Sequence, residues 1–237
     1  MPALSSLSVI PVIDVSHGRV VRARRGDRAA YRPIATPLVA GSDPCDVARA
    51  LLARVGAATP TLYVADLDAL QGGAPQAATL ARLVGALPGV TLWIDAGFDG
   101  VAAAQALRGV LAAGRWRAVY GSESLADAKA LEALAREPGA ILSLDCRHAR
   151  PLDPAGCWTR PHAWPGTLIV MTLDRVGAGE GPDLATFARL RAAAPDRQWI
   201  GAGGVRDAGD LAAAAAAGAD GWLVASALHD GRLPAAG

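Results

Sequence analysis

Lysine is almost absent from this chain of 237 residues. Lys129 is the only one, and all other basic residues apart from histidine are arginine. Lys129 falls within a helix-like run, Leu125 to Arg136, away from any predicted strand end. A Schiff-base mechanism needs a lysine beside the substrate carbonyl. The sequence therefore argues against an aldolase or lyase of that type.

Cysteine is also scarce. The three cysteines, Cys45, Cys146 and Cys157, are odd in number and lack CxxC spacing. That pattern argues against a disulfide framework and against a zinc site, and it favours free thiols in a reducing cytoplasm. The four histidines are scattered. We expect no bound metal and no other cofactor.

Long apolar runs and basic stripes are missing as well. No stretch reaches the roughly 18 uncharged apolar residues that a membrane span needs. Residues 1–8 lack the basic and apolar regions of a secretory signal. The net charge is +1, without a concentrated basic surface stripe in the sequence. We expect a cytoplasmic protein that binds neither membranes nor nucleic acid.

What the chain does contain is a regular alternation of short β-branched runs with longer alanine- and leucine-rich runs, which is typical of parallel βα units. The predicted strands are 8–14, 61–66, 91–95, 117–121, 140–145, 168–172, 198–202 and 221–225. The predicted helices are 43–56, 75–86, 99–113, 124–136, 182–194 and 207–217. Eight strands in a chain of this length predict one domain, 1–237, folded as a closed (βα)₈ barrel. An open doubly wound sheet is the structural alternative.

An internal repeat supports the barrel. Residues 64–68, VADLD, align with 170–174, VMTLD, and 94–97, IDAG, align with 200–203, IGAG, both at an offset of 106. Gly121-Ser122 corresponds to Ala225-Ser226, and Asp14 at the end of the first strand corresponds to Asp145 at the end of the fifth. These matches occur in chain order, so we expect two four-stranded half-barrels.

The two halves differ in their loops. Residues 147–167 contain four prolines and no uninterrupted helical stretch, so the crossover helix after the fifth strand is expected to be missing. Either the loop that carries Trp158 and Trp164 or a partner subunit must then cover the barrel wall. In the first half, the long loop 16–42 contains six arginines, and a loop of this length is often an active-site lid.

Carboxylates lie at five of the eight predicted strand ends. They are Asp14, Asp66 with Asp68, Asp95, Asp145 and Asp174. In barrels of this class, catalytic groups lie where the strands end and the βα loops begin. Some of these aspartates can instead cap a helix or pair with an arginine. Asp14 and Asp145 are symmetry mates, and two carboxylates facing each other across a substrate can act as base and acid.

Two glycine-rich corners form the second constellation. Gly203-Gly204 follows the seventh strand and Ser226 follows the eighth, a corner that binds phosphate in many barrels. Its repeat mate consists of Gly97 with Gly121 and Ser122. The glycines can also serve only to permit tight turns. Because the corners are paired at symmetric positions, they favour phosphate binding.

These motifs resemble those of the HisA/HisF family, the ribotide isomerase-like barrels of histidine biosynthesis. The resemblance covers nearly the whole chain and rests on residues 10–14 (IPVID), 18–22 (GRVVR), 62–69 (LYVADLDA), 143–145 (SLD), 158–159 (WT), 203–205 (GGV) and 225–228 (ASAL). It implies an Amadori-type aldose–ketose isomerisation with Asp14 as the general base. Asp145 and Thr172 would be supporting catalytic residues, Trp158 would stack on the substrate, and Arg22 would help to bind it.

The sequence also departs from the family pattern. After the sixth strand, the position of the family's general acid falls near Gly177, so Asp174 or Glu180 would have to replace that acid. After the third strand, Asp95 and Asp99 flank Gly97 where a phosphate is expected, and their charge opposes an anion. The chain therefore looks like the divergent HisA-related group that accompanies tetrahydromethanopterin-dependent one-carbon metabolism.

Three functions follow as hypotheses. The first is an isomerase that acts on a small phosphorylated sugar or aminosugar, with Asp14 as base, Asp145 or Asp174 as acid, and Gly203, Gly204 and Ser226 at the phosphate. The second is the histidine-pathway ribotide isomerase itself. The third is a non-catalytic relative that binds a ligand or a partner. A monomer and a homodimer are both compatible with the sequence.

Overall fold

The computed structural model describes residues 7–23, 31–56, 60–111 and 115–233. Its elements alternate as the sequence predicts, and most predicted bounds lie within two residues of the observed ones. The strands are β1 (Ser8–Ser16), β2 (Arg19–Val21), β3 (Thr61–Asp66), β4 (Thr91–Asp95), β5 (Trp116–Gly121), β6 (Ile141–Arg147), β7 (Arg150–Pro151), β8 (Thr167–Thr172), β9 (Gln198–Ala202) and β10 (Gly221–Val224). The helices are α1 (Pro44–Val55), α2 (Leu67–Leu70), α3 (Ala77–Ala86), α4 (Val101–Val110), α5 (Ala128–Leu134), α6 (Leu184–Arg191), α7 (Ala208–Ala216) and α8 (Ser226–His229).

The sheet closes into a barrel. Eight parallel strands pair in the order β1, β3, β4, β5, β6, β8, β9, β10, and β10 pairs again with β1. In the closing register, Ile10 lies opposite Leu223, and on the other side of β1, Asp14 lies opposite Ala65. Because β1 has a parallel neighbour on each side, the open doubly wound sheet is excluded and the predicted (βα)₈ barrel is confirmed.

Two layers of apolar side chains fill the molecule. The barrel interior is packed by residues that include Ile10, Trp93, Ile141 and Ile169, and a larger cluster fills the space between the barrel and the helices. Successive side chains of a strand point to opposite faces. The interior is therefore supplied by every second residue, which decides whether a polar residue at a strand end faces the mouth or the helix layer.

Aspartates cap several helices. The side chain of Asp43 accepts hydrogen bonds from the backbone N–H groups of Cys45 and Asp46, Pro44 is the first residue of α1, and Gly56 ends the helix in the left-handed conformation. These caps stabilise both ends of α1, because they satisfy backbone N–H and C=O groups that the helix itself leaves unpaired. Asp183 caps α6 in the same way.

Two short antiparallel strands were not predicted. β2 turns back along β1, and β7 turns back along β6, so each half-barrel begins with a hairpin. The turns contain His17 and His148, which both have positive φ angles, 49° and 50°. The hairpins lie at corresponding places in the two halves, as the internal repeat requires.

The expected loss of the crossover helix after β6 is confirmed. Between β7 and β8 the chain forms only two 3₁₀ turns, Cys157–Thr159 and Pro161–Ala163. Trp164 is 2% exposed, donates a hydrogen bond from Nε1 to the Cys157 carbonyl, and packs edge-on against Trp199 at 5.7 Å. The loop itself therefore covers the wall at this point.

Among the described helices, none combines the length and the apolar character that a membrane crossing requires. The three cysteines are all buried and free.

Candidate active site

A cavity opens at the end of the barrel where the parallel strands finish. It encloses about 930 Å³, counting the part open to solvent. Its walls come from every parallel strand or from the loop that follows it, and they mix apolar side chains with a few charged ones. This is the size and character of a small-molecule site, at the end of the barrel that carries active sites.

Three of the predicted aspartates meet in this cavity. Asp14, Asp95 and Asp145 all line it. Each lies an even number of residues after a side chain that packs in the barrel interior, on β1, β4 and β6 respectively. Strand alternation therefore turns all three toward the mouth.

Asp145 is the most deeply buried of the three. Its side chain accepts a hydrogen bond of 2.6 Å from the Ser143 hydroxyl and a longer one, 3.3 Å, from the backbone N–H of Glu123. Burial raises the pKa of Asp145 well above its usual value, and the charge of Glu123 raises it further, while the Ser143 hydrogen bond opposes the shift. Asp145 is thus a carboxyl group that resists ionisation.

Asp95 is held by a tyrosine. The hydroxyl of Tyr63 donates a hydrogen bond of 2.9 Å to Oδ2 of Asp95, and the Gly97 N–H donates one of 3.2 Å to Oδ1. Burial raises the pKa of Tyr63 well above its usual value, with the negative charge of Asp95 as the next cause. Tyr63 therefore stays a hydroxyl donor, and Asp95 is an acceptor on the cavity wall.

The cavity is electrically uneven. Asp95, Asp145 and Glu123 lie on its β4–β6 side. Arg175, which follows β8, and Arg232, which follows α8, line it on the other side. No role was predicted for Glu123, Arg175 or Arg232, because Glu123 and Arg232 lie in loops and Arg175 ends a 3₁₀ turn, where strand alternation no longer tells which way a side chain points.

The glycine-rich corner of the second half-barrel lies in the cavity. Gly203, Gly204 and Ser226 all line it, together with Arg175 and Arg232. Both glycines have positive φ, 86° and 88°. A Cβ on Gly204 would stand 2.2 Å from the Gly181 carbonyl oxygen, so only glycine fits against the loop that follows β8.

The glycine-rich corner of the first half-barrel, formed by Gly97, Gly121 and Ser122, is arranged differently. The backbone N–H of Gly97 already donates to Asp95. The Ser122 hydroxyl is fully buried, donates to the Leu152 carbonyl at 2.8 Å and accepts from the backbone N–H of Asp145 at 2.9 Å. Neither residue lines the cavity, and a Cβ on Gly121 would stand 3.0 Å from Oδ2 of Asp145. This corner supports Asp145.

Arg22 borders a smaller chamber beside the main cavity. Its guanidinium donates a hydrogen bond of 2.9 Å to Asp230. Asp14 and Ser226 line both the chamber and the main cavity. The structure therefore brings Arg22 close to two other predicted site residues, but not into the main cavity itself.

Three further predicted site residues also lie outside the wall of the main cavity. Thr172 faces the helix layer, where its hydroxyl donates to Asp183 at 3.3 Å. Trp158 packs outward, with the Arg189 guanidinium of α6 at 5.8 Å from its ring. The carboxylate of Asp174 accepts a hydrogen bond from the backbone N–H of His148.

The other two strand-end aspartates of the first half are structural. Asp66 caps α2 and accepts hydrogen bonds from the backbone and side-chain nitrogens of Gln76. Asp68 accepts from the backbone N–H of His17 at 3.0 Å. The cap formed by Asp66 matches the alternative that some of these carboxylates cap a helix, whereas the contact of Asp68 with the hairpin turn was not among the predicted alternatives.

Part of the long first loop reaches the cavity. Ala23 and Tyr31 line it from either side of residues 24–30, which lie outside the described residues together with three of the loop's six arginines. The lid therefore stays a prediction. In the described ranges, no three histidine, cysteine or acidic side chains are grouped as metal ligands would be.

Comparison with known proteins gives consistent results. A family model described as histidine biosynthesis protein matches residues 8–234. A protein of Xanthomonas campestris pv. campestris is 32% identical over 96% of both chains, and one of Xanthomonas oryzae pv. oryzae is 31% identical over the same shares. A third, from Stenotrophomonas maltophilia, is 29% identical, again over 96% of both chains. All three are named as isomerases of an imidazole-4-carboxamide that carries two phosphoribosyl groups.

Proposed function

The chain belongs to the histidine biosynthesis protein family, and from this membership we propose that it is an isomerase that moves protons on a phosphorylated sugar or aminosugar. Asp14 is the general base and Asp145 is the general acid. The phosphate lies against Gly203, Gly204 and Ser226. Asp95 and Glu123 bind the other end of the substrate.

The environment of Asp145 carries this proposal. A general acid must hold its proton at the pH of the reaction, and burial beside another carboxylate is the usual way to achieve this. Asp145 has both features, since it is 5% exposed and Glu123 adds to the rise in its pKa. Asp14 is only partly buried, on the opposite half of the barrel. The two carboxyl groups thus differ in environment while sharing one cavity.

The chemistry needs only these two groups. Asp145 donates a proton to the ring oxygen of an aminoaldose, the C1–O bond breaks, and a protonated imine forms at C1. Asp14 then takes the proton from C2, which gives an enolamine. The enolamine then becomes the 1-amino-2-ketose: C1 takes a proton from Asp14, and the C2 hydroxyl gives its proton to Asp145. Both carboxyl groups thus return to their starting states, and the reaction needs no oxidant and no metal.

The loop after β8 gives no carboxylate to this reaction. Gly177, near the family's usual acid position, lines the cavity, and the acidic side chains around it, Asp174 and Glu180, do not. Glu180 instead lies 3.4 Å from the guanidinium of Arg175. For that reason we assign the acid to Asp145, and Asp174 as acid remains the weaker alternative.

One end of the cavity suits phosphate better than the other. At the β9–β10 end, two arginines accompany the glycine turn, and the Ser226 hydroxyl makes no hydrogen bond with any described residue. At the β4–β6 end, the Gly97 amide and the Ser122 hydroxyl already have partners, and carboxyl groups line the wall. Like charge opposes an anion there. We therefore propose a substrate with one phosphate and a neutral or cationic opposite end.

Two experiments test this function. Candidate aminoaldose phosphates are incubated with the enzyme in D₂O, and mass spectrometry follows deuterium entry at C1. We expect incorporation with the native chain and none with Asp14→Asn. A crystal soaked in sulfate should show the anion at Gly203 and Ser226 and not at Gly97. Sulfate at both corners would contradict the single-phosphate substrate, and exchange that survives Asp14→Asn would overturn the mechanism.

A second candidate is the histidine-pathway isomerisation itself. It is favoured by the relatives, whose named substrate carries two phosphoribosyl groups and whose chains match along 96% of their length. Complementation of a histidine auxotroph that lacks this isomerase separates the two candidates. Growth that is rescued by this chain and lost with Asp14→Asn would establish the histidine-pathway reaction and replace our first candidate.

The link to tetrahydromethanopterin-dependent metabolism stays a prediction from the sequence departures, and so do the cytoplasmic location and the choice between monomer and homodimer. The non-catalytic hypothesis makes its own prediction: Asp14→Asn and Asp145→Asn would leave the biological activity unchanged. A measurable exchange reaction would exclude it.

A further inference from the structure

A small chamber branches from the main cavity behind Asp14. It shares Asp14 and Ser226 with the main cavity, and its remaining polar walls are Arg22 and His229. The chamber is small, with room for one water molecule or for one oxygen of a ligand. A group held at Ser226 therefore has a polar recess beside it.

His229 is an unusual side chain to line such a recess, because it is both buried and incompletely hydrogen-bonded. It is only 3% exposed, and its Nδ1 is buried without a hydrogen-bond partner among the described residues. Buried polar atoms in native proteins are nearly always paired, with protein groups or with water or a ligand. Ser226 and His229 are three residues apart on α8, a spacing that places them on the same side of a helix. Both residues also line the chamber, so a ligand atom held there at Ser226 would lie against the imidazole.

Burial, more than the surrounding charges, keeps His229 neutral in the absence of a ligand. Burial lowers its pKa to about 4, and the charge of Arg22 lowers it further, while Asp230 opposes the shift. Asp14 on β1 is the other charged group of the chamber. From α1, Arg54 is occupied by the Leu233 carbonyl at 2.5 Å. An anion that enters the chamber would add negative charge beside the imidazole and favour its protonated form.

We propose that His229 contacts the phosphate, donating a hydrogen bond from its imidazole to an oxygen of the phosphate monoester that also binds Ser226, and that it takes up a proton when that anion binds. This rests on the proposed phosphate position at Gly203, Gly204 and Ser226. The ligand class is a phosphate monoester or an inorganic oxyanion of the same shape. A neutral imidazole leaves the empty site free of an additional charge, and the proton arrives together with the anion.

The test uses sulfate, which stays fully ionised from pH 4 to pH 8, so that any proton taken up comes from the protein. The ring resonances of the four histidines are followed by NMR across this range. They are followed with saturating sodium sulfate and with sodium chloride at equal ionic strength, and His229→Gln assigns the His229 signal. We expect the His229 titration to move upward by at least about one pH unit with sulfate only. The exposed His162 serves as the internal control and should not move.

Binding provides the second measurement. At pH 6 we expect His229→Gln to weaken sulfate binding several-fold, and His162→Gln to leave it unchanged. If sulfate shifts the amide signals of Gly204 and Ser226 while His229 titrates as before, and His229→Gln binds sulfate normally, the role of His229 is overturned and the phosphate position stands. If sulfate does not perturb Gly204 and Ser226 at all, both proposals fail. The shift in the titration is measured on the native chain, and the variant serves there only to assign the His229 signal.

Discussion

The carboxylate of Asp174 accepts a hydrogen bond from the backbone N–H of His148, and its Oδ1 lies 3.1 Å from the imidazole Nδ1. Asp68 holds His17 in the same way in the first half-barrel, with 3.0 Å from the amide and 3.6 Å from Nδ1. In both cases the histidine has positive φ at the tip of a hairpin. The repeat that aligns Asp68 with Asp174 therefore preserves a contact that holds a hairpin in place.

This relationship predicts a modest role for Asp174. Asp174→Ala should loosen the β6–β7 hairpin and lower kcat by no more than about tenfold, whereas loss of a general acid lowers it by about 10²–10⁴. Steady-state kinetics compare Asp174→Ala and Asp174→Asn with Asp68→Ala as the matched change in the other half. A loss with Asp174→Asn as large as that with Asp145→Asn would return the role of acid to Asp174.

Asp145 should control both activity and the pH dependence of stability. Asp145→Asn is expected to lower kcat by about 10²–10⁴ with little change in KM. The folded-state pKa of Asp145 is raised, so above about pH 4, the ordinary aspartate value, the folded state retains a proton that the unfolded state has lost. Stability must then fall as the pH rises toward the folded-state pKa.

Urea unfolding of the native chain and of Asp145→Asn from pH 4 to pH 8 measures this effect. The variant should lose less stability than the native chain as the pH increases. Parallel stability curves for the two proteins would show that the pKa of Asp145 is not raised by folding.

Gly121 is predicted to be required for the position of Asp145. A methyl group at this residue would stand 3.0 Å from Oδ2 of Asp145, so Gly121→Ala should displace the carboxyl group and lower kcat by at least about tenfold. Gly109→Ala is the matched control, because that glycine lies in α4 with nothing within 4 Å. The control should keep full activity and gain about 0.5–1 kcal/mol of stability. Equal kinetics for the two variants would contradict the proposed steric effect.

Trp164 should be important for the stability of the wall without the crossover helix. Trp164→Ala is expected to lower the free energy of unfolding by about 3–5 kcal/mol, as is usual for a fully buried tryptophan. Val110→Ala, at an exposed position, is the control and should change it by less than about 0.5 kcal/mol. Chemical denaturation measures both. A loss of unfolding free energy as small as that of Val110→Ala would mean that residues other than Trp164 close the wall.

Arg232 should contribute to binding more than to chemistry. Arg232→Gln removes a positive charge from the proposed phosphate end, so KM should rise by about tenfold while kcat changes little. Arg49→Gln on α1, at a residue that does not line the cavity, is the control. Raising the salt concentration should increase KM for the native chain more than for Arg232→Gln, because the screened charge is absent from the variant. An unchanged KM would place the phosphate elsewhere.

The eight parallel strands were predictable because β-branched runs and alanine-rich helical runs differ so clearly in period. β2 and β7 were missed, since three and two residues are too short to carry a period. In the site, the strand-end positions pointed to six aspartates, and strand alternation explains why three of them, Asp14, Asp95 and Asp145, face the mouth. The same rule, applied at Thr172 and Ser122, indicates that both face the helix layer, and this signal was available in the sequence.

Glu123, Arg232 and His229 had no comparable signal. They lie in or next to short loops and one four-residue helix, where a change of one residue in the turn redirects the side chain. Their place in the cavity depends on contacts between segments far apart in the chain, such as the pairing of Arg22 with Asp230.

The sequence by itself determined the barrel, its two related halves, the missing helix after β6 and the strand ends that carry the candidate aspartates. These features depend on local periodicity and on the fixed alternation of strands, which neighbouring residues specify. Only the tertiary structure decided which carboxyl group is buried beside another and which end of the cavity carries the arginines. It also decided that Asp174 holds the β6–β7 hairpin in place. Burial and charge at a site depend on groups brought together from distant parts of the chain, and that information exists only once the barrel has closed.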